Sequence, residues 1–197
     1  MLLTLAAAEQ ADAARIAEIH MSAFASNAML QAQFPTSTVR DALKKCIELK
    51  ALADIDDLNT TVLVVRDFDS EHTSSDTKLD EKCCRPQARG GRAIAFAKWT
   101  HPVYTDEDDT EPPWTFPEGT DLKILEDWTR KTEDAQSYAV GIVPCYRLTF
   151  IGTDPAYERR GAATKMVRWG IEKCKKENVP AYLESTLEAA PLLGQAR

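Results

Sequence analysis

The sequence predicts an α/β domain built on a mixed, mostly antiparallel twisted sheet flanked by helices. Two stretches carry that expectation. TTVLVV at residues 60–65 and RAIAFAKW at residues 92–99 are β-branched or alternating runs that pair as a hairpin. Residues 147–186 then run strand, turn, helix, strand, the order of a right-handed parallel crossover. The chain has 197 residues, 44% hydrophobic and 28% charged, which suits one folded domain with a sizeable core, so residues 1–197 are read as a single unit.

At the start, LLTLAA alternates weakly and predicts a short first strand. Residues 9–24 follow as a helix, because Ala13, Ile16, Ala17, His20 and Phe24 recur on one face at helical spacing. His20 on that stripe is either a packed core residue, the more common fate of a lone histidine on an apolar face, or a ligand or base. Pro35 and Thr36-Ser37-Thr38 punctuate the chain before a second helix over residues 39–52. Beyond the strand at 60–65, residues 66–91 turn to Ser, Asp, Thr and Lys with little to bury, which predicts a long mobile surface loop. In the strand after it, alternation sets Ile94 and Phe96 on one face against Ala93, Ala95, Ala97 and Trp99 on the other.

Residues 101–143 read as an insertion. It opens with an acidic run from Asp106 to Glu111, followed by Pro112, Pro113, Trp114 and Pro117, which forbid regular structure, and then a helical turn or two over residues 122–130. The acidic run is either a solvated segment or, beside an active site, an attractor for a cationic amine. The strand at 147–153 is stopped by Asp154 and Pro155. In the helix that follows, Ala163, Met166, Val167, Gly170, Ile171 and Cys174 share one face, while Lys165, Arg168, Lys173 and Lys176 take the other. Asn178 and Pro180 end it, and a last strand covers residues 181–186.

A formal charge of -7 argues against a general nucleic-acid binder, since phosphate neutralisation needs a basic face. Basic residues nevertheless crowd at Arg159, Arg160, Lys165 and Arg168, enough to hold one phosphorylated ligand. The N-terminus has no basic region and meets Glu9 and Asp12 at once, so neither a signal peptide nor a membrane span is expected. Five scattered cysteines without a CxxC pair suggest neither disulfides nor a metal site; adjacent Cys83 and Cys84 read as exposed thiols, and a reducing, cytoplasmic location fits.

The chemistry is expected in ERRGAAT, residues 158–164, at the start of the last helix. Gly161, Ala162 and Ala163 let a ligand approach first-turn N–H groups that lack intrahelical partners and carry partial positive charge. Arg159 and Arg160 add donors, so a diphosphate fits there; an ordinary helix start with solvated arginines is the alternative. The absence of GxGxxG and of a Walker lysine weakens a nucleotide-binding reading.

With the strand before it and AYLEST after it, TDPAYERRGAATKMVRWG resembles the coenzyme A binding core of the GNAT superfamily of N-acetyltransferases, most closely its fungal members. The signature Gln/Arg-x-x-Gly-x-Gly/Ala is met by Gly161 and Ala163, with Glu158 in the place of Gln or Arg. FP at Phe34, AFAKW at 95–99 and WTFPEGTD from Trp114 extend the likeness over about three quarters of the chain. The resemblance implies a GNAT-like sheet that splays near Thr153 to admit acetyl-CoA as co-substrate. Ile151, Gly152 and Thr153 would lie along the pantetheine, with Ile151 and Thr153 offering backbone groups. Arg159, Arg160, Gly161, Ala162, Ala163 and Thr164 would bind the pyrophosphate.

The implied reaction is direct attack of a primary amine, expected on a small molecule, on the thioester carbonyl. Glu184, the one base on the face shared by Tyr182 and Thr186, is the candidate to take the ammonium proton, or else a structural carboxylate. No metal, nucleic acid or membrane is involved on this reading. The chain ends EAAPLLGQAR, so Leu193 stands where the family has the tyrosine that protonates the thiolate, and the usual last two strands are missing. A truncated, catalytically impaired CoA-binding or partner-binding form is therefore the alternative, with a homodimer covering the exposed sheet edge.

Overall fold

The computed structural model describes residues 2–68, 91–104 and 112–185. Five strands lie in chain order, β1 (Leu3–Ala7), β2 (Thr60–Asp67), β3 (Arg92–Thr100), β4 (Tyr146–Thr153) and β5 (Ala181–Leu183); neighbours are antiparallel except β4 and β5, which run parallel. The mixed, mostly antiparallel sheet expected from the sequence is therefore present. Helices α1 (Ala13–Ala23) and α3 (Ser37–Asp56) close over one face, and α5 (Ala162–Glu177) over the other. The short α2 (Ala28–Gln33) and the long α4 (Leu122–Val140) lie at the margin of this core.

Local chemistry sets most element ends. Thr36 accepts the Val39 N–H at 3.2 Å and starts α3 at Ser37, and the helix runs on to Asp56 rather than stopping near Leu52. Asp12 ends a 3-10 turn (Gln10–Asp12) and is buried because its carboxylate accepts from Arg66 Nη2 at 2.7 Å and from the Glu9 N–H at 2.9 Å. Arg66 and Asp67 thus belong to β2 and not to the loop expected from residue 66. The mobility expected for that loop, and the thiols of Cys83 and Cys84, concern residues 69–90, outside the described residues; Cys46, Cys145 and Cys174 are free.

The expected helical turn at 122–130 is a helix of 19 residues. Asp121 caps it by accepting the Ile124 N–H at 3.0 Å, and its sequence holds neither Gly nor Pro until Gly141, which ends it at φ +58°. None of its residues is buried, and its ties to the rest of the molecule include contacts with α2 and a 3.3 Å bond from Arg147 to Gln136.

Two bulges matter for the site. Val65 pairs with Ala95 but Arg66 with Ala93, so Ile94 is an extra residue on β3. The extra residue reverses the phase of alternation. Ile94 packs with Ala95, Ala97 and Trp99 against α5, while Ala93 joins Phe96 beneath α1 and α3, a correction to the strict alternation expected. On β4, Thr149 is the extra residue, because Lys98 pairs with Phe150 and Trp99 with Leu148.

Helix α5 rests directly on Trp99, 1% exposed, and can do so because residue 170 is glycine. A Cβ there would lie 2.2 Å from the indole Cζ2. Ala162, with Met166, Val167 and Cys174, fills this interface in place of the expected Ala163.

Candidate active site

Strands β4 and β5 stay together for three residues only. Tyr146, Arg147 and Leu148 pair with Ala181, Tyr182 and Leu183, and the parallel pairing ends where the Thr149 bulge begins. From 149 to 153 that edge of β4 has no strand partner among the described residues. The Asp154 N–H donates to the Ile94 carbonyl at 2.8 Å, so the register turns the N–H and C=O of Gly152 and Phe150 toward β3 as well. Alternation then leaves the backbone groups of Ile151 and Thr153 facing the open edge. Gly152 has a separate reason to be glycine: a Cβ there would stand 2.9 Å from Phe96 Cε1 and 3.5 Å from Ala23 Cβ, where α1 crosses the sheet.

The chain then turns sharply into α5. Asp154 accepts the Ala156 N–H at 3.0 Å to start the turn Pro155–Tyr157, and its carboxylate also pairs with Arg15, which anchors to the Ala93 carbonyl at 3.0 Å. Burial alone would raise the Asp154 pKa, but the Arg15 guanidinium and the Ala156 N–H outweigh it and hold the carboxyl below its usual value. This bracing fixes where the loop 158–161 leaves the sheet.

Within that loop Arg159 takes φ +60° and Gly161 φ +84°, and α5 follows in right-handed conformation from Ala162. Left-handed and right-handed residues in succession turn consecutive N–H groups to one side, an anion-binding concavity. Lys165 donates to the Gly161 carbonyl at 3.2 Å, the first bond of the helix ladder, so the N–H groups of Ala162, Ala163 and Thr164 precede it without intrahelical acceptors. Gly161 brings no capping side chain, and nothing lies within 4 Å of a Cβ placed on it. Its glycine serves backbone conformation and approach rather than packing.

The two arginines differ. Both are exposed, but the Arg160 guanidinium stacks 4.8 Å over the Tyr157 ring and reaches Asp67 Oδ2 at 3.4 Å. Ala162 is buried in the core, and Ala163 and Thr164 are half-buried at the helix start. Residues 151–153 and 159–164 therefore form one continuous rim, the open strand edge leading to the helix N-terminus.

Glu184 follows β5 directly, exposed, and accepts from the Tyr182 hydroxyl at 2.7 Å, which agrees with the expectation that the two share a face. Burial, then the Glu184 carboxylate, push the Tyr182 phenol up to about 12. Residues 186–197, with Thr186 and Leu193, and the acidic run at 106–111 lie outside the described residues.

The opposite face of the sheet sets His20 beside polar groups that the sequence did not single out. Lys50 and Lys98 both bond to Oδ1 of Asp54, Lys98 at 3.0 Å, and all three side chains are buried beside His20, Trp114 and Phe150. Burial depresses the Lys50 pKa, and the nearby Lys98 adds to this against the opposing pull of Asp54. His20 is packed among Phe24, Phe96 and Phe150 at ring-centre distances of 4.8, 6.0 and 5.1 Å, and burial drives its pKa down to about 4. A lysine inside the apolar AFAKW run and the Lys50/Asp54 pair at helical spacing were the sequence signals for this cluster.

Residues 93–193 match the Acetyltransferase (GNAT) family, a span that contains the splayed strands, the glycine turn and α5. The chain belongs to the acetyltransferase (GNAT) family. Among solved structures it is similar to one described as histone acetyltransferase HPA2 and related acetyltransferase from Corynebacterium glutamicum ATCC 13032. The two are 16% identical with a TM-score of 0.57, over 99% of this chain and 83% of that one. A GCN5-related N-acetyltransferase from Ralstonia eutropha JMP134 gives 11% identity and a TM-score of 0.53, over 98% and 90%. At such identities the likeness concerns the GNAT fold. No curated protein matches the chain. Among the described residues, no helix is long and apolar enough to cross a membrane.

Proposed function

We propose that this GNAT domain transfers an acetyl group from acetyl-CoA to a primary amine of a small molecule, by direct attack on the thioester. The observation that carries this reading is the continuous rim formed by the open β4 edge and the N-terminus of α5. Acetyl-CoA is the co-substrate. Its pyrophosphate lies on the N–H groups of residues 161–164, where Arg159 and Arg160 contribute charge and Thr164 a hydroxyl. Its pantetheine amides bond to the backbone of Ile151 and Thr153 as a further strand would, and the thioester then lies toward the Thr149 bulge.

The deprotonated amine nitrogen attacks the carbonyl carbon, an N–C bond forms, and strand N–H groups stabilise the tetrahedral oxyanion. Collapse of that intermediate breaks the C–S bond, and the leaving CoA thiolate takes up the second proton lost by the nitrogen, so that the amide and free CoA thiol are released. Glu184, held by the Tyr182 hydroxyl, takes the ammonium proton. Thiol release from acetyl-CoA, followed over a panel of primary amines, tests this. Release that depends on the added amine, and that falls about tenfold or more in Glu184→Gln, is expected. Acetyl-CoA binding without amine-dependent release from any member would instead assign the chain to CoA binding without catalysis.

A further inference from the structure

One cavity lies between the sheet and the α1/α3 layer, away from the proposed pyrophosphate cradle. Its volume is about 30 Å³, room for a water or a polar group of that size, and its wall includes His20, Lys50, Asp54, Lys98, Trp114 and Phe150. His20 is 6% exposed and has ring contacts but no hydrogen-bond partner among the described residues. A neutral imidazole carries one donor and one acceptor, and with His20 in the cavity wall these are offered to a hydrogen-bonding group that enters it. Phe150 ties it to the reaction. Its ring lines the cavity, while its backbone belongs to the stretch of β4 that has no strand partner on the β5 side.

We propose that this cavity is the far end of the acceptor site and holds a neutral hydroxyl of the acceptor, so that the substrate class is an amino alcohol. The proposal rests on the acyl-transfer reading above. A second ammonium on the acceptor would be pressed against Lys50 and Lys98, and a carboxylate would have to compete with Asp54 for the two ammonium groups that Asp54 already binds. A hydroxyl meets neither conflict, because it donates to the His20 nitrogen and accepts from an ammonium group. The half-buried Trp114 and Phe150, in edge contact at 6.0 Å, flank the acceptor's carbon chain.

The test compares thiol release from acetyl-CoA for ω-amino alcohols of two to six carbons with alkylamines in which a methyl replaces the hydroxyl, and with the matching diamines and amino acids. The amino alcohol of best length should exceed its three analogues by about tenfold to hundredfold in kcat/KM. His20→Phe, which keeps a ring in the aromatic setting, should abolish that preference through the acceptor KM; His20→Gln, which keeps an acceptor atom, should retain part of it. Equal rates across the matched sets, or a preference that survives in His20→Phe, overturn the hydroxyl site and leave acyl transfer standing. Release from none of the amines overturns both.

Discussion

The two faces of the sheet are packed by different rules. Under α5, Trp99 and Leu148 meet Met166 and Val167 of a helix that approaches closely because Gly170 has no side chain. Across the sheet, α1 and α3 close over His20, Lys50, Asp54 and Lys98, each 6% exposed or less. The first face tolerates no added atom, and the second tolerates no lost charge. Apolar packing fixes the N-terminus of α5 relative to the β4 edge, as the proposed acetyl-CoA cradle requires. Buried ionic groups are a poor source of stability, and their presence on the other face is what the proposed acceptor site would require.

The largest effect expected is on the ionic face. Asp54→Asn removes the carboxylate that Lys50 and Lys98 share, and should cost about 3–5 kcal/mol in denaturant unfolding. On the apolar face Gly170→Ala forces α5 off Trp99 and should cost about 3 kcal/mol, the upper end for overpacking, with the indole fluorescence altered. If Asp54→Asn were neutral while Gly170→Ala unfolded the protein, the cluster would not be the charged centre described here.

A smaller effect separates the faces by pH. The pKa of His20 falls from 6.5 to about 4 through burial, so below pH 6.5 the unfolded chain binds a proton that the native one refuses. Its contribution is fully present above pH 6.5 and is lost as pH falls, by about 1.4 kcal/mol per unit, or about 2 kcal/mol by pH 5. Comparison of the native protein with His20→Phe over pH 5–7.5 should show this slope in the first and its loss in the second. The smallest change, Thr36→Ala, touches neither face. It should cost about 1 kcal/mol through the cap of α3 and serves as the reference for both.

The faces also differ in how far the sequence foretells them. The glycine turn, the strand before it and the amphipathic helix after it are contiguous, so local periodicity and one positive-φ glycine suffice to locate the α5 side. His20, Asp54, Lys98, Trp114 and Phe150 come from α1, α3, β3, the insertion and β4, and only tertiary pairing brings them together. The bulge at Ile94 was invisible for a related reason. Period-2 alternation cannot reveal an extra residue whose neighbours Ala93 and Ala95 are equally apolar. Helix α4 is longer than its sequence suggests because Thr, Asp and Ser dilute its apolar pattern, although Asp121 and Gly141 mark its ends.

The central claim is that the N-terminus of α5, opened by Gly161, receives the pyrophosphate of acetyl-CoA. Calorimetric titration of acetyl-CoA into the native protein, Gly161→Asn and Gly161→Asp tests it directly. Asparagine tolerates the left-handed conformation and adds no charge, whereas aspartate puts a carboxylate where the phosphates must lie. Affinity should fall modestly in Gly161→Asn and about a hundredfold or more in Gly161→Asp, with the unfolding temperatures of the two variants alike. Equal affinity of Gly161→Asp and the native protein for acetyl-CoA would place the cofactor elsewhere.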